Sequence, residues 1–232
     1  MRVVDCEQGT AQWLDVRRGK ITASRIADVL DVLKKGGEGA SRRNYRIELI
    51  AERLTGRSED HYTSPEMMWG TDCEPFARAA YEIGTGVMVD TVGFVLHTAF
   101  DFAGSSPDGL VGSDGGLEIK CPKTTTHLKW MLAGVVPEEH QAQCLWNMAC
   151  CERSWWDFMS YDPRLPDGLR IFIVRMQRDN ERIAQIQDEV MRFNNEVDSY
   201  TKFLKERVKE TPVDTRTPLE QLEAMMDAEL IP

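Results

Sequence analysis

"SSPDGLVGSDGGLEIKCPK", residues 105–123, decides how the chain is read. A strand alternates its side chains between two faces, so Glu118 and Lys120 point one way and Leu117 and Ile119 the other. A packed strand gains little from an ion pair on one face. Gly115-Gly116 reads as the turn that returns an earlier strand alongside. Asp108 reads as the end of that earlier strand, behind Pro107, whose ring fixes its own φ and restricts Ser106. Such a hairpin would bring the Asp108 and Glu118 carboxylates to a common point, with Lys120 beside them. Two converging carboxylates repel unless a cation lies between them, and oxygen donors without His or Cys suit Mg²⁺ or Mn²⁺. That class of cation polarises a phosphate oxygen and activates water. Lys120 would orient the nucleophile or take its proton. E-x-K alone arises by chance in most chains of this size; the P-D ahead of it, the glycine pair and the apolar strand make the pattern informative.

The rest of the chain bounds that chemistry. Its 232 residues are 42% apolar and 28% charged, which suits one α/β domain with elaborations. The longest apolar runs, "VGFVL" (92–96) and "IFIV" (171–174), have strand length and fall far short of a membrane span. Residues 1–10 are polar and acidic, without a signal-peptide core, so a cytoplasmic location is expected, that of the host cell if a phage or prophage encodes the chain. Six cysteines form no C-x-x-C pair and four histidines show no ligand spacing; reduced, mostly buried thiols are expected and zinc is not. A net charge of −10 disfavours a nucleic-acid coat protein, but it leaves room for an enzyme with acidic metal ligands and locally clustered basic residues.

Periodicity predicts an α/β fold, a central mixed β-sheet flanked by helices. Near the N-terminus, Thr22 or Ser24 would cap a helix running through Ile26, Val29, Leu30 and Leu33. Further helices are expected over about 44–54, from Pro65 to Gly84 or Gly86, and from Pro137 onward. Three strands are expected within 87–122 and two more at "SWWDFMSYDP" and "LRIFIVRMQ". Ile183, Ile186, Val190, Phe193, Val197, Tyr200 and Leu204 mark one face of a long helix packed on the sheet. The basic loop "KKGGEGASRR" (34–43) offers Lys34, Lys35, Arg42 and Arg43 for phosphate contact or for plain solvation. Residues 1–210 read as one domain and 211–232 as a C-terminal acidic amphipathic tail containing "LEQLEAMMDAEL".

The motif in 105–123 resembles the PD-(D/E)XK nuclease signature, and the resemblance extends along most of the chain to the lambda-type, or YqaJ-type, viral recombination exonucleases. "WLDVRRGKITAS" (13–24) is similar to the family's N-terminal block, and "WGTDCEPFARAAYE" (69–82) to its W-G-x3-E helix. "SSPDGLVGSDGGLEIKCP" fits its core site and "HQAQCLWNM" (140–148) its Q-x-Q helix. The resemblance implies a restriction-endonuclease-like core. It makes Asp108, Glu118 and the Ile119 carbonyl metal ligands, with Glu74 supporting or binding metal, and Lys120 the catalytic lysine. Gln141 would hold the active-site water or the lysine, although Gln141 and Gln143 cannot share one helix face. Arg17, Ser24 and Ser106 would form a pocket for a 5′-phosphate.

The implied activity is 5′-to-3′ digestion of one strand of linear duplex DNA, leaving a 3′ overhang. Its implied cofactor is Mg²⁺, replaceable by Mn²⁺, with two ions per site. The implied partners are duplex DNA ends, two further copies of the chain in a homotrimeric ring, and a single-strand annealing protein; no membrane partner is expected. Two alternatives stand beside it. Another PD-(D/E)XK enzyme, an endonuclease, would cut closed circles; an iron–sulfur version would need four suitably placed cysteines, which the spacing does not supply. An inactive DNA-binding scaffold would have lost Asp108, Glu118 or Lys120, and all three are present.

Overall fold

The computed structural model describes residues 1–33, 35–58 and 64–210, and of residues 208–210 the backbone alone. In chain order the elements are β1 (Arg2–Val4), α1 (Ala11–Arg17), β2 (Ile21–Thr22), α2 (Ile26–Val29), α3 (Ala40–Thr55), α4 (Pro65–Thr85), β3 (Val89–Asp90), β4 (Phe94–Leu96), β5 (Ala103–Ser105), β6 (Gly109–Val111), β7 (Gly115–Lys120), α5 (Thr124–Ala133), α6 (Glu138–Cys151), β8 (Trp155–Tyr161), β9 (Ile171–Gln177) and α7 (Asn180–Glu210). A short 3₁₀ turn, Ala23–Arg25, joins β2 to α2. The mixed α/β architecture is the expected one, but the strands divide into two sheets. The larger runs β3-β6-β7-β8-β9 and the smaller β1-β4-β5-β2.

The larger sheet puts the motif strand at its centre. β7 pairs antiparallel with β6 and parallel with β8. A parallel neighbour needs a crossover, and α5 and α6 supply it. Leu117 and Ile119 face a cluster with Ala77 and Tyr81 of α4 and with Met159 and Tyr161 of β8. On the other side, α6 buries Cys144, Leu145, Trp146 and Met148 in the main core with Trp156 and Phe158. Ser64 caps α4 through its hydroxyl, which accepts from the Met67 amide, with Pro65 at the first helical turn and Gly86 left-handed at the end. The α5 helix was not legible, because its opening Thr-Thr-Thr is β-branched and favours strands.

Several sequence expectations are corrected. Gly115 and Gly116 lie within β7, opposite Val111 and Leu110, and the turn falls at 112–114. The two glycines answer to the tryptophans beside them: a Cβ on Gly115 would sit 2.0 Å from the Trp155 ring, and one on Gly116 2.2 Å from Trp156. Asp108 therefore stands at the start of β6, where the strand that carries it begins. The first long helix is a single turn, α2, which leaves Leu33 54% exposed. Arg42 is no phosphate ligand. It is buried, ion-paired with Glu189 at 2.8 Å and Glu196 at 2.9 Å, and lies over the Phe193 ring. The α7 stripe packs as expected from Ile183 to Val197, but Tyr200 and Leu204 are exposed beyond it. The tail 211–232 and Lys34 lie outside the described residues.

Candidate active site

Three elements meet at the motif. The loop ahead of β6 brings Asp108, β7 brings Glu118, Ile119 and Lys120, and α4 brings Glu74. Asp108 Oδ2 accepts from the Ile119 amide at 2.6 Å. Lys120 Nζ donates to Glu118 Oε1, and Glu118 is buried while Lys120 is partly exposed. Glu74 pairs with Arg78 one turn along, at 2.5 Å. Glu74, Asp108, Ile119 and Lys120 all line one cleft of about 690 Å³, with Met67, Trp69, Trp130 and His140 among its apolar walls and Lys123 and Arg164 as further cations.

Charge in the cleft is unevenly matched. Burial, and then the Glu118 carboxylate, push the Asp108 pKa well above the usual range, with Lys120 opposing. Burial also raises Glu74, against the pull of Arg78 and with a further push from Glu118. Burial disfavours the charged Lys120, yet Glu118 and Asp108 more than offset it and raise its pKa. Burial is the larger cause for both carboxylates, and the neighbouring Glu118 charge adds to it. Their oxygen donors, together with the Ile119 carbonyl, fit a hard divalent cation. Among the described residues, no three His, Cys, Asp or Glu side chains form a ready-made cage.

Glu118 is held from behind by α6. Gln143 Nε2 donates to its Oε1 at 2.6 Å, and Asn147 Nδ2 to its Oε2 at 3.0 Å. Gln141, expected here, is turned elsewhere: its amide donates to the Val136 carbonyl at 3.0 Å and accepts from Arg182 at 3.1 Å. The physical reason is helical phase: residues two apart point about 200° from one another, whereas Asn147, four on from Gln143, shares its face and reaches the same carboxylate. Asn147 carries no motif signature; its signal is a polar residue spaced i, i+4 from Gln143 inside an apolar run.

Of the three residues expected to form a 5′-phosphate pocket, two meet and one stays apart. Arg17 NH1 and Trp13 Nε1 each donate to Ser106 Oγ at 2.9 Å, and the Arg17 guanidinium lies 4.0 Å from the Trp13 ring centroid. Parallel pairing of β2 with β5, Ile21 opposite Ala103, sets the N-terminal block beside Ser106. Burial lowers the Arg17 pKa, with Tyr45 and Glu52 opposing. Ser24 sits exposed on the 3₁₀ turn, and no hydrogen bond joins it to that pair among the described residues. Only Pro107 separates Ser106 from Asp108, so the Arg17–Ser106 pair adjoins the carboxylate cluster along the chain.

Residues 12–154 match the profile of the YqaJ-like viral recombinase domain. The chain is 44% identical to LHK-Exo, an alkaline exonuclease from Laribacter hongkongensis, with a TM-score of 0.81 over 87% of this chain and 99% of that one. The same values hold for LHK-Exo in complex with dAMP. A phage-related exonuclease from Haemophilus somnus 129PT is 17% identical with a TM-score of 0.62, covering 81% of this chain and 96% of that one, and supports the fold. Comparison with curated proteins gave no match. The blocks around Arg17, Glu74, Asp108 and Gln143 all fall inside the matched span, and the chain belongs to the YqaJ-like viral recombinase domain family.

Proposed function

We propose that the chain is a divalent-metal-dependent nuclease that removes nucleotides 5′-to-3′ from one strand of linear duplex DNA, starting at 5′-phosphorylated ends. The observation that carries this reading is the adjacency of two kinds of group. The Asp108–Glu118–Lys120 cluster suits phosphodiester hydrolysis, and the Arg17–Ser106 pair, one proline away, suits a terminal phosphate. Stepwise hydrolysis of DNA releases nucleoside monophosphates, and LHK-Exo has been crystallised with one, dAMP.

In this reading Asp108, Glu118 and the Ile119 carbonyl hold Mg²⁺, or Mn²⁺ in its place, with Glu74 in support and room for two ions. When bound, the metal supplies Lewis acidity at the phosphate and lowers the pKa of water. Lys120, held at Glu118 Oε1, orients the attacking water; it would take the water's proton once a bound cation offsets the carboxylate charge that raises its pKa. Gln143 keeps Glu118 in place from α6. Arg17 offers its fork to the 5′-phosphate, with Trp13 and Ser106 fixing the guanidinium. The 3′ overhang would pass to a single-strand annealing protein, the copies would form a closed trimeric ring, and the work would take place in the cytoplasm.

One assay tests the activity: a linear duplex labelled at one 5′ end, set beside a covalently closed circle, each with and without Mg²⁺. Release of labelled mononucleotide from the linear DNA alone, dependent on Mg²⁺, is expected. Cutting of the circle would make the enzyme an endonuclease instead. Light scattering checks the ring, since a mass near the 26.4 kDa of one chain at micromolar protein would rule it out.

A further inference from the structure

Asn147 is fully buried, between Trp146 and Met148, in the most apolar stretch of α6. Its Nδ2 donates to Glu118 Oε2 at 3.0 Å, while its Oδ1 is buried with no donor among the described residues. The amide cannot be turned round, because its oxygen would then face a carboxylate. Fold stability alone gives no reason to keep a buried amide whose oxygen is unmet, as an apolar side chain of similar volume would leave no orphan acceptor.

The two oxygens of Glu118 are not equivalent. Oε1 accepts from both Gln143 and Lys120, so both of its lone pairs are engaged. Among the described residues Oε2 accepts from Asn147 alone, which leaves one lone pair open. Gln143 and Asn147 stand four apart on α6 and grip the carboxylate from one face.

We propose that Asn147 is a positioning residue for the metal: it fixes the rotation of the Glu118 carboxylate so that the open lone pair of Oε2, not Oε1, meets the cation, while Lys120 stays on Oε1. This rests on the metal-site reading above. Neighbours that orient a ligand commonly contribute 10- to 100-fold to metal affinity.

The test is Mn²⁺ binding to the full chain, followed by electron paramagnetic resonance, with circular dichroism and thermal melting as controls on folding. Asn147→Leu is expected to weaken Mn²⁺ binding about 10- to 100-fold and to lower kcat at saturating Mn²⁺ with little change in KM for DNA. Gln143→Leu is expected to weaken Mn²⁺ binding less, because it frees only Oε1. Asn147→His, whose Nδ1–H reaches about as far as the amide, is expected to restore part of the affinity, and it carries the test should the leucine variant fail to fold. A folded Asn147→Leu with wild-type Mn²⁺ affinity would overturn the role of Asn147. A larger loss in Gln143→Leu than in Asn147→Leu would overturn the choice of Oε2. Wild-type protein that binds no Mn²⁺ would sink the metal-site reading itself and this inference with it.

Discussion

The Asp108 carboxylate accepts a hydrogen bond from the backbone amide of Ile119, at 2.6 Å. That contact ties the proline-bearing loop to the motif strand, so two acids ten residues apart in sequence hold a fixed relation. It also occupies one oxygen of Asp108 and leaves the carboxylate facing the cleft with Glu74 and Lys120.

Asp108→Asn and Glu118→Gln keep shape and remove a negative charge from the cluster. Each is expected to reduce hydrolysis of linear duplex to background while DNA affinity, measured by fluorescence anisotropy in Ca²⁺, stays within a fewfold of wild type. Activity near wild type in either variant would remove that residue from the mechanism.

Lys120→Ala removes an ammonium that binds Glu118 without being a ligand. A drop in single-turnover rate of about 10²–10⁴-fold is expected at saturating metal, with Mn²⁺ affinity preserved or raised because a competing cation has gone. Collapse of metal binding with an unchanged rate would reverse the assignment.

Arg17→Ala should act on end choice. Hydrogen bonds to a charged group contribute about 1.5–3 kcal/mol, so the preference for 5′-phosphate over 5′-hydroxyl ends is expected to shrink by about 10–100-fold. Hydrolysis persists, more slowly, on pre-bound ends. Rates on the two end types, compared in wild type and variant, decide it; an unchanged ratio would make Arg17 a structural cation bound to Ser106.

His140 gives a pH-dependent stability. Burial, and then Lys120, lower its pKa to about 4, while in the unfolded chain it is about 6.5. The unfolded state therefore binds the proton first as pH falls. The contribution of His140 is fully present above pH 6.5 and is lost through the window down to about pH 4, at up to about 1.4 kcal/mol per pH unit. His140 stacks on Phe158 and meets Trp130 edge-on, so Phe is a suitable replacement. Urea unfolding at pH 7 and pH 5 is expected to show a smaller loss for His140→Phe than for wild type. Equal losses would show that His140 is not a source of the acid sensitivity.

Local pattern by itself determined the class of fold and singled out Asp108, Glu118 and Lys120; Glu74 came from the family resemblance. Strand alternation placed Glu118 and Lys120 on one face, proline and glycine marked the helix ends, and the spacing of Ile183 to Val197 described a buried helix face. These are properties of neighbours along the chain, and backbone periodicity carries them. Only the tertiary structure decided the rest. Whether Gln141 or Gln143 reaches Glu118 depends on the rotation of α6 about its axis, which the packing of Trp146 and Met148 sets. Arg42 looked like a free cation in a basic loop until α7 brought Glu189 and Glu196 against it. Gly115 and Gly116 looked like a turn until β8 laid Trp155 and Trp156 across them. In each case the deciding partner lies tens of residues away, and a side chain's partner at that separation is set by which elements pack, which no local spacing records.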